Sequence, residues 1–404
     1  MAAEALPDDP TREQIRAWCT ATARALVPAL LEGAADRDRE RQFPHEQLDL
    51  IRARGLEAIL VPRRYGGIGG EYSDQARVVS ILAEGDPSVA QIFHVHGTGV
   101  ELLSESSVAE SVKAELHART VAGKLRWTNA YSELGTKTIF DWTVKLTPTA
   151  TGSYLVDGQK FYCTGSLGGD YLYATAVVDG TTDVRLVFVP TDAPGLAIDD
   201  DWSGMGQVTT ASGTIRFAAV EVPAERVIDF TGLAYPESVF GPYGQICFSG
   251  IHLGIARNAL GDAVQFAATK ARPWVHSGVE RAADDPYTQQ HIGQMSMWVE
   301  AADALQERAL DVMDTARAHP SAEARARCSV AVSQAKAFTE HAGLEVCQRL
   351  FQVTGSASTV RKYDYDRHWR NLRTLSLHDP VDYKFKMIGD YHLNGTLPPI
   401  TAYT

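Results

Sequence analysis

The strongest constraint in this sequence is that its hydrophobic period changes twice. From Thr11 to about Lys124 apolar residues recur at three- and four-residue intervals. From about Leu125 to Ile228 they sit in short β-branched and aromatic runs, and from about Tyr235 the helical spacing returns in long stretches. Side-chain period reports whether a backbone satisfies its N–H and C=O groups within a helix or across strands. The order therefore predicts an α+β chain: an N-terminal α-helical domain over 1–124, a middle β-barrel or sandwich over 125–230, and a C-terminal four-helix bundle over 231–404. A length of 404 residues, more than one core usually fills, agrees with that division.

Local signals refine this reading. Thr11-Arg-Glu-Gln14 has capping-box form, and Pro28 is placed to kink the helix that follows. Further helices are predicted over 45–54, 73–83, 88–103, 107–122, 241–270, 286–318, 322–352 and 380–393. Glycines in Pro62-Arg-Arg-Tyr-Gly-Gly-Ile-Gly-Gly70 mark a tight reversal between two of them. Strands are predicted over 142–146, 154–156, 171–178, 184–189 and 214–222, with hairpin turns at Asp157-Gly158 and Asp179-Gly180.

Composition excludes several classes. Hydrophobic residues make up 45% and charged residues 22%, which rules out a disordered chain. A net charge of −12, with pI near 5.5 and no basic patch, argues against nucleic acid or an anionic membrane surface as partner. Met1 to Pro10 lacks signal-peptide character, and no apolar run reaches the roughly 18–20 residues needed to span a bilayer. Five scattered cysteines without a CxxC or paired histidines suit reduced thiols rather than a metal site. We expect a cytoplasmic enzyme.

Several strings then carry a resemblance. Leu60-Val-Pro-Arg-Arg-Tyr-Gly-Gly-Ile-Gly-Gly70, Ala83-Glu-Gly-Asp-Pro-Ser-Val-Ala90, Thr128-Asn-Ala-Tyr-Ser-Glu133 and Gly158-Gln-Lys-Phe-Tyr-Cys-Thr-Gly165 resemble the acyl-CoA dehydrogenase superfamily. Asp200-Asp-Trp-Ser-Gly-Met-Gly206, Thr210-Ala-Ser-Gly-Thr214, Ala271-Arg-Pro-Trp274, Asp284-Asp-Pro-Tyr287 and the long run Asp366 to Val381 are closer to its flavin-dependent monooxygenases of the dibenzothiophene monooxygenase type. A dehydrogenase needs a carboxylate to remove a proton α to the thioester. At the two places where that family carries its glutamate, this chain reads Thr374-Leu-Ser-Leu-His-Asp-Pro380 and Gln245-Ile-Cys-Phe-Ser-Gly-Ile-His-Leu-Gly254, neither with a glutamate. Asp379 is a poor substitute.

The resemblance implies a two-component monooxygenase. A separate flavin reductase supplies reduced FMN (or FAD) by diffusion, O2 adds to give a flavin C4a-hydroperoxide, and a small aromatic or heteroaromatic substrate is hydroxylated or S-oxidised. It also implies a homotetramer. The alternatives are an N-oxygenase of an amine or amino sugar, and an acyl-CoA dehydrogenase. No GxGxxG follows a strand, so nicotinamide chemistry belongs on another chain.

The same resemblance supplies site residues, each with a plainer reading beside it. His378 is carried over as an acid/base group near the flavin, or it caps the helix that Pro380 opens. In Phe93-His-Val-His96 the imidazoles are two residues apart, so one helix face cannot present both. The resemblance selects His96, against a core histidine. Thr164, a serine in relatives, would bond flavin N5 or the distal peroxide oxygen, and Asn129 the flavin edge or the peroxide. Both are otherwise strand-end hydrogen bonders. Arg272 matches a position reaching the flavin phosphate from a neighbouring subunit, or it answers a helix dipole. Phe161 and Trp202 would wall the isoalloxazine, or are simply core. Arg370, next to Asn371 and near Arg373, contacts the flavin phosphate or pairs with Asp364 and Asp366.

Overall fold

The computed structural model describes residues 6–230 and 235–404. The first five residues and the expected boundary after residue 230 lie at or outside the edges of these ranges. The helical opening consists of α1 (Arg12–Leu31), α2 (Ala34–Glu40), α3 (His45–Ala53), α4 (Tyr72–Gly85), α5 (Pro87–Glu105) and α6 (Glu110–Val121). Thr11 and Gln14 form the expected capping box, with reciprocal bonds of 2.8 and 3.2 Å. Pro28 is accommodated inside α1. Asp86 caps α5, its carboxylate accepting the N–H groups of Ser88 and Val89. The reversal before α4 uses Gly66 and Gly69, both at positive φ.

Strands β1 (Trp127–Ala130), β2 (Lys145–Pro148), β3 (Ser153–Lys160), β4 (Tyr171–Val178), β5 (Val184–Pro190), β6 (Leu196–Ile198), β7 (Ile215–Pro223) and β8 (Val227–Asp229) form one sheet in the order β6-β7-β3-β2-β4-β5-β8. β1 adds in parallel to β4, pairing Asn129 with Tyr173. β4 reads as an unbroken apolar run because both of its faces are covered. Leu172, Ala174 and Ala176 enter the sheet's own core, whereas Tyr171 and Tyr173 join the core shared with the helices.

One expected turn is corrected. Asp157-Gly158 lies within β3, where the register to β7 shifts between Val156 and Gly158, and Gly158 has φ 137°. Asp157 accepts the N–H of Ala219 at 2.7 Å, so its carboxylate stitches a bulge rather than turning a hairpin. Asp179-Gly180 does turn, with Val178 N–H bonded to Asp183 C=O at 2.9 Å.

The last block comprises α7 (Phe240–Thr269), α8 (Pro286–Ala318), α9 (Ala322–Thr354), α10 (Asp366–Ser376) and α11 (Val381–Asn394). α7 is apolar on every side because α4, α5, α8, α9 and α10 all pack on it. The sequence pattern predicts neither α2, which has no bulky apolar residue, nor the charge-rich α10, whose apolar stripe is only Trp369, Leu372 and Leu375. Residues 395–404 fold back across α7 and α9. Arg325 there donates to Pro399 C=O at 2.9 Å and Gln245 to Ala402 C=O at 3.2 Å. None of the described helices is long and apolar enough to cross a membrane.

Candidate active site

The candidate residues lie on α5 and the strand ends on one side and on α7, α9 and the 377–380 loop on the other. On the strand side two loops are zipped together: Cys163 and Gly165 N–H groups bond Gly213 and Thr210 C=O, at 3.2 and 2.8 Å. Tyr162, Gln207 and Ala211 within these loops take positive φ (59°, 51° and 47°), an arrangement costly for residues with a Cβ and concentrated at functional sites.

The loops hold a hydroxyl chain whose polarity can be counted. Thr210 Oγ donates to Gln207 C=O at 2.8 Å, which spends its one proton. The 2.7 Å contact from Ser212 to Thr210 must then use the proton of Ser212, and the 2.8 Å contact from Thr164 to Ser212 the proton of Thr164. Thr164, 6% exposed, is left with acceptor capacity only. Asn129 shares the helix-facing side of β1 with Trp127, and its buried Oδ1 has no partner. The segment after it is anchored by fully buried Lys160, which bonds Glu133 at 2.6 Å, Thr175 at 3.0 Å and Tyr131 C=O at 3.2 Å. Burial lowers the Lys160 pKa to about 8.

On the helix side the two histidines of α5 differ in how their ring nitrogens are used. His96 is a strut: its Nδ1 accepts the Trp127 N–H at 3.1 Å, so its Nε2 carries the proton given to Glu57 C=O at 2.8 Å. Both ring nitrogens are spent on backbone, and burial lowers its pKa. His94 instead packs its ring edge-on against Tyr243 and Phe248 (5.8 and 5.4 Å), with Nδ1 buried and unpartnered. Burial and the nearby His378 push its pKa down to about 3. His378 also packs on Phe248, at 4.1 Å, and beside Tyr403 at 5.6 Å, with 38% of its side chain still accessible.

Asp379 answers the question of a base. Oδ1 pairs with Lys336 and lies 3.0 Å from His378 Nδ1, while Oδ2 lies 3.0 Å from Lys384. Burial alone would raise its pKa, but the His378 hydrogen bond and the two ammonium groups hold it well below the usual carboxylate range. A carboxylate so satisfied is too weak a base to abstract a carbon-bound proton.

The remaining expected residues divide. Trp202 is fixed by its indole N–H, bonded to Gln207 C=O at 2.8 Å, and forms a rim with Phe161 and Tyr162 at ring separations of 4.8–6.3 Å. Arg370 is not available to a phosphate. It pairs with Asp38 at 2.6 Å, Asp366 at 2.7 Å and Asp364 at 3.2 Å, and donates to Met205 C=O at 3.1 Å. It thereby pins α10 to the 201–212 loop, as does Asn371, which accepts the Gln207 N–H. Arg272 sits on the exposed loop after α7, beside Trp274 and Val275 at 70% and 78% exposure, away from the residues above. Lys336, Lys384, Lys160 and Ser212 escaped the sequence reading. A lone lysine in a helix gives no local sign of its counter-ion.

Helices, one curled sheet and a helical bundle in this order, with Asn129 Oδ1 and His94 Nδ1 buried and unpartnered, are the architecture and polar inventory of an acyl-CoA dehydrogenase fold. Family models for the N-terminal and C-terminal domains of acyl-CoA dehydrogenase match residues 10–124 and 246–383. Dibenzothiophene monooxygenase of Rhodococcus erythropolis is 34% identical over 393 residues, 94% of each chain. The probable FMNH2-dependent monooxygenase SfnC of Pseudomonas putida is 32% identical, over 95% of this chain and 97% of its own. The structure of TdsC from Paenibacillus sp. A11-2 with FMN and indole superposes with a TM-score of 0.89 at 27% identity, covering 96% and 100% of the two chains. The chain belongs to the acyl-CoA dehydrogenase family, and within it to the flavin-dependent monooxygenases typified by dibenzothiophene monooxygenase.

Proposed function

We propose that this enzyme takes reduced FMN from a separate reductase and, with O2, places one oxygen atom on a small, flat, uncharged aromatic or heteroaromatic molecule. The observation that carries this reading is the saturation of Asp379, which leaves no free carboxylate at the dehydrogenase position. Reduced flavin, when bound, supplies the electrons that activate oxygen. The donor count suits that redox state: Thr164 offers an acceptor, which the N5–H of a reduced flavin needs and the bare N5 of an oxidised one does not. Asn129 Oδ1 would take a second flavin N–H, and Phe161 and Trp202 would flank the ring. His378 would hold and return a proton near the reacting atoms, a task suited to imidazole at neutral pH, and neutral His94, with Nδ1 unpartnered, would supply a hydrogen bond there.

A cluster of aromatic side chains supports this substrate class. Tyr131, Trp142 and Phe230 meet edge-to-face at 5.6–5.8 Å, and Phe140 joins Trp142 to Tyr403, which faces His378. Edge and face contacts of this kind favour a planar ring and exclude water. Arg272 would serve the flavin phosphate of a neighbouring copy, and the exposed Trp274 and Val275 beside it suit burial in a homotetramer. Five buried, unpaired cysteines fit a reducing compartment, and we place the enzyme in the cytoplasm.

The test is a single turnover. Anaerobically reduced FMN and enzyme are mixed with 18O2 and indole or dibenzothiophene, and the organic product is analysed by mass spectrometry. One labelled oxygen in the product is the expected result. Hydrogen peroxide alone, together with reduction of an acceptor dye by acyl thioesters, would overturn the reading.

A further inference from the structure

The reading above uses the buried charge cluster behind His378 only to silence Asp379. Lys336, on α9, is 1% exposed, and its Nζ bonds Gln245 Oε1 at 2.6 Å and pairs with Asp379 Oδ1. That same oxygen lies 3.0 Å from His378 Nδ1. Desolvating an ammonium costs several kcal/mol. A methionine would fill the same space against Phe248, so packing gives no reason for the charge. We propose that Lys336 is a positioning residue that acts through Asp379 to keep His378 neutral and in one tautomer.

The geometry sets both parts of this. A carboxylate only accepts, so the proton in the contact with Asp379 belongs to Nδ1, and the neutral ring then carries none on Nε2. His378 is thus presented with Nε2 ready to accept a proton. Its charge state follows from the groups around it. Lys336 from α9 and Lys384 from α11 set two positive charges against the one negative charge of Asp379. His94 from α5 and His252 from α7 are both pushed down to about 3 by burial and add no charge at neutral pH. Tyr403 is neutral for the same reason. Glu340, Arg373 and Asp382 interact with the Lys336–Asp379 pair, whereas the charged groups acting on His378 itself are Asp379, Lys336 and Lys384. The excess positive charge opposes a second proton on His378. Without Lys336, Asp379 would draw that proton on.

The proposal rests on His378 being the acid/base group, and its test is independent of turnover. The full chain, 15N-labelled at histidine and free of flavin, oxygen and substrate, is titrated by NMR, with the His378 signal assigned by its loss in His378→Gln. In Lys336→Met the midpoint should move up by about one pH unit, and the single Nδ1–H tautomer should give way to the doubly protonated ring. Lys336→Met with Asp379→Asn removes the pair together and leaves Lys384 its bond to Tyr403 C=O. There the midpoint should return to or below that of the parent. An unchanged midpoint and tautomer in Lys336→Met, or a raised midpoint in the double variant, overturns the proposal. The isotope experiment would stand unaffected.

Discussion

Replacing Thr164 by valine keeps the side-chain shape and removes one hydroxyl from a chain whose polarity is fixed by counting protons. In the parent, Thr164 donates to Ser212, which donates to Thr210, which donates to Gln207 C=O, at 2.8, 2.7 and 2.8 Å. Valine leaves the last two bonds intact, because neither uses a Thr164 proton. The loss falls on the flavin. A reduced ring would bury its N5–H against a methyl group, at a cost of about 1–2 kcal/mol for an unsatisfied donor in a site as closed as that of Thr164, which is 6% exposed. That corresponds to about 5- to 30-fold weaker binding. Oxidised FMN has no N5 proton and meets a hydroxyl aimed away from it, so its affinity should change less than about twofold. Anaerobic fluorescence titration of both redox forms against parent, Thr164→Val and Thr164→Ser reads the two numbers separately, with serine expected to match threonine. Equal losses in the two forms would show that the hydroxyl donates to the flavin. No loss in either would remove Thr164 from the cofactor's edge.

Further outcomes follow from the same structure. His94→Phe should fold normally and lower the ratio of oxygenated product to hydrogen peroxide by about 100-fold or more, measured by coupling yield. His96→Phe should instead destabilise the fold by about 2–3 kcal/mol, since Glu57 C=O and Trp127 N–H both lose a buried partner, measured by urea unfolding. Lys160→Met leaves the Glu133 carboxylate without its ammonium partner, held only by Thr143 and the Val144 N–H, and should cost about 3–5 kcal/mol. A melting temperature within two or three degrees of the parent would contradict that assignment. Burial raises the pKa of Glu101 to about 7. The folded state therefore holds its proton more tightly than the unfolded chain, and this contribution to stability is lost as pH rises from about 5 to 8. Glu101→Gln should gain melting temperature relative to the parent across that window and not below it.

The fold was largely legible because helix and strand periods are local. Each residue's period is set by neighbours one to four positions away, so α1, α8 and β4 stood in the sequence nearly to the residue. Asp157-Gly158 misled for the same reason: its turn-like chemistry is local, but its use in a bulge depends on Ala219 in another strand. The site was legible only in part. Thr164, Asn129 and His378 lay in strings with a recognisable chemistry. The choice between His94 and His96 could not be made from a two-residue spacing, because it turns on where Glu57 and Trp127, 39 and 31 residues distant, present their backbone groups. Likewise Arg370 is claimed by Asp38, 332 residues earlier, and Asp379 by Lys336, 43 residues earlier. What the chain alone determined was most of the secondary structure and the chemical vocabulary of the candidate site. Which imidazole is free, which carboxylate is silenced and which arginine is taken were decided by tertiary structure. Hydrogen bonds and charges act over a few ångströms of space, and only folding brings such distant residues that close.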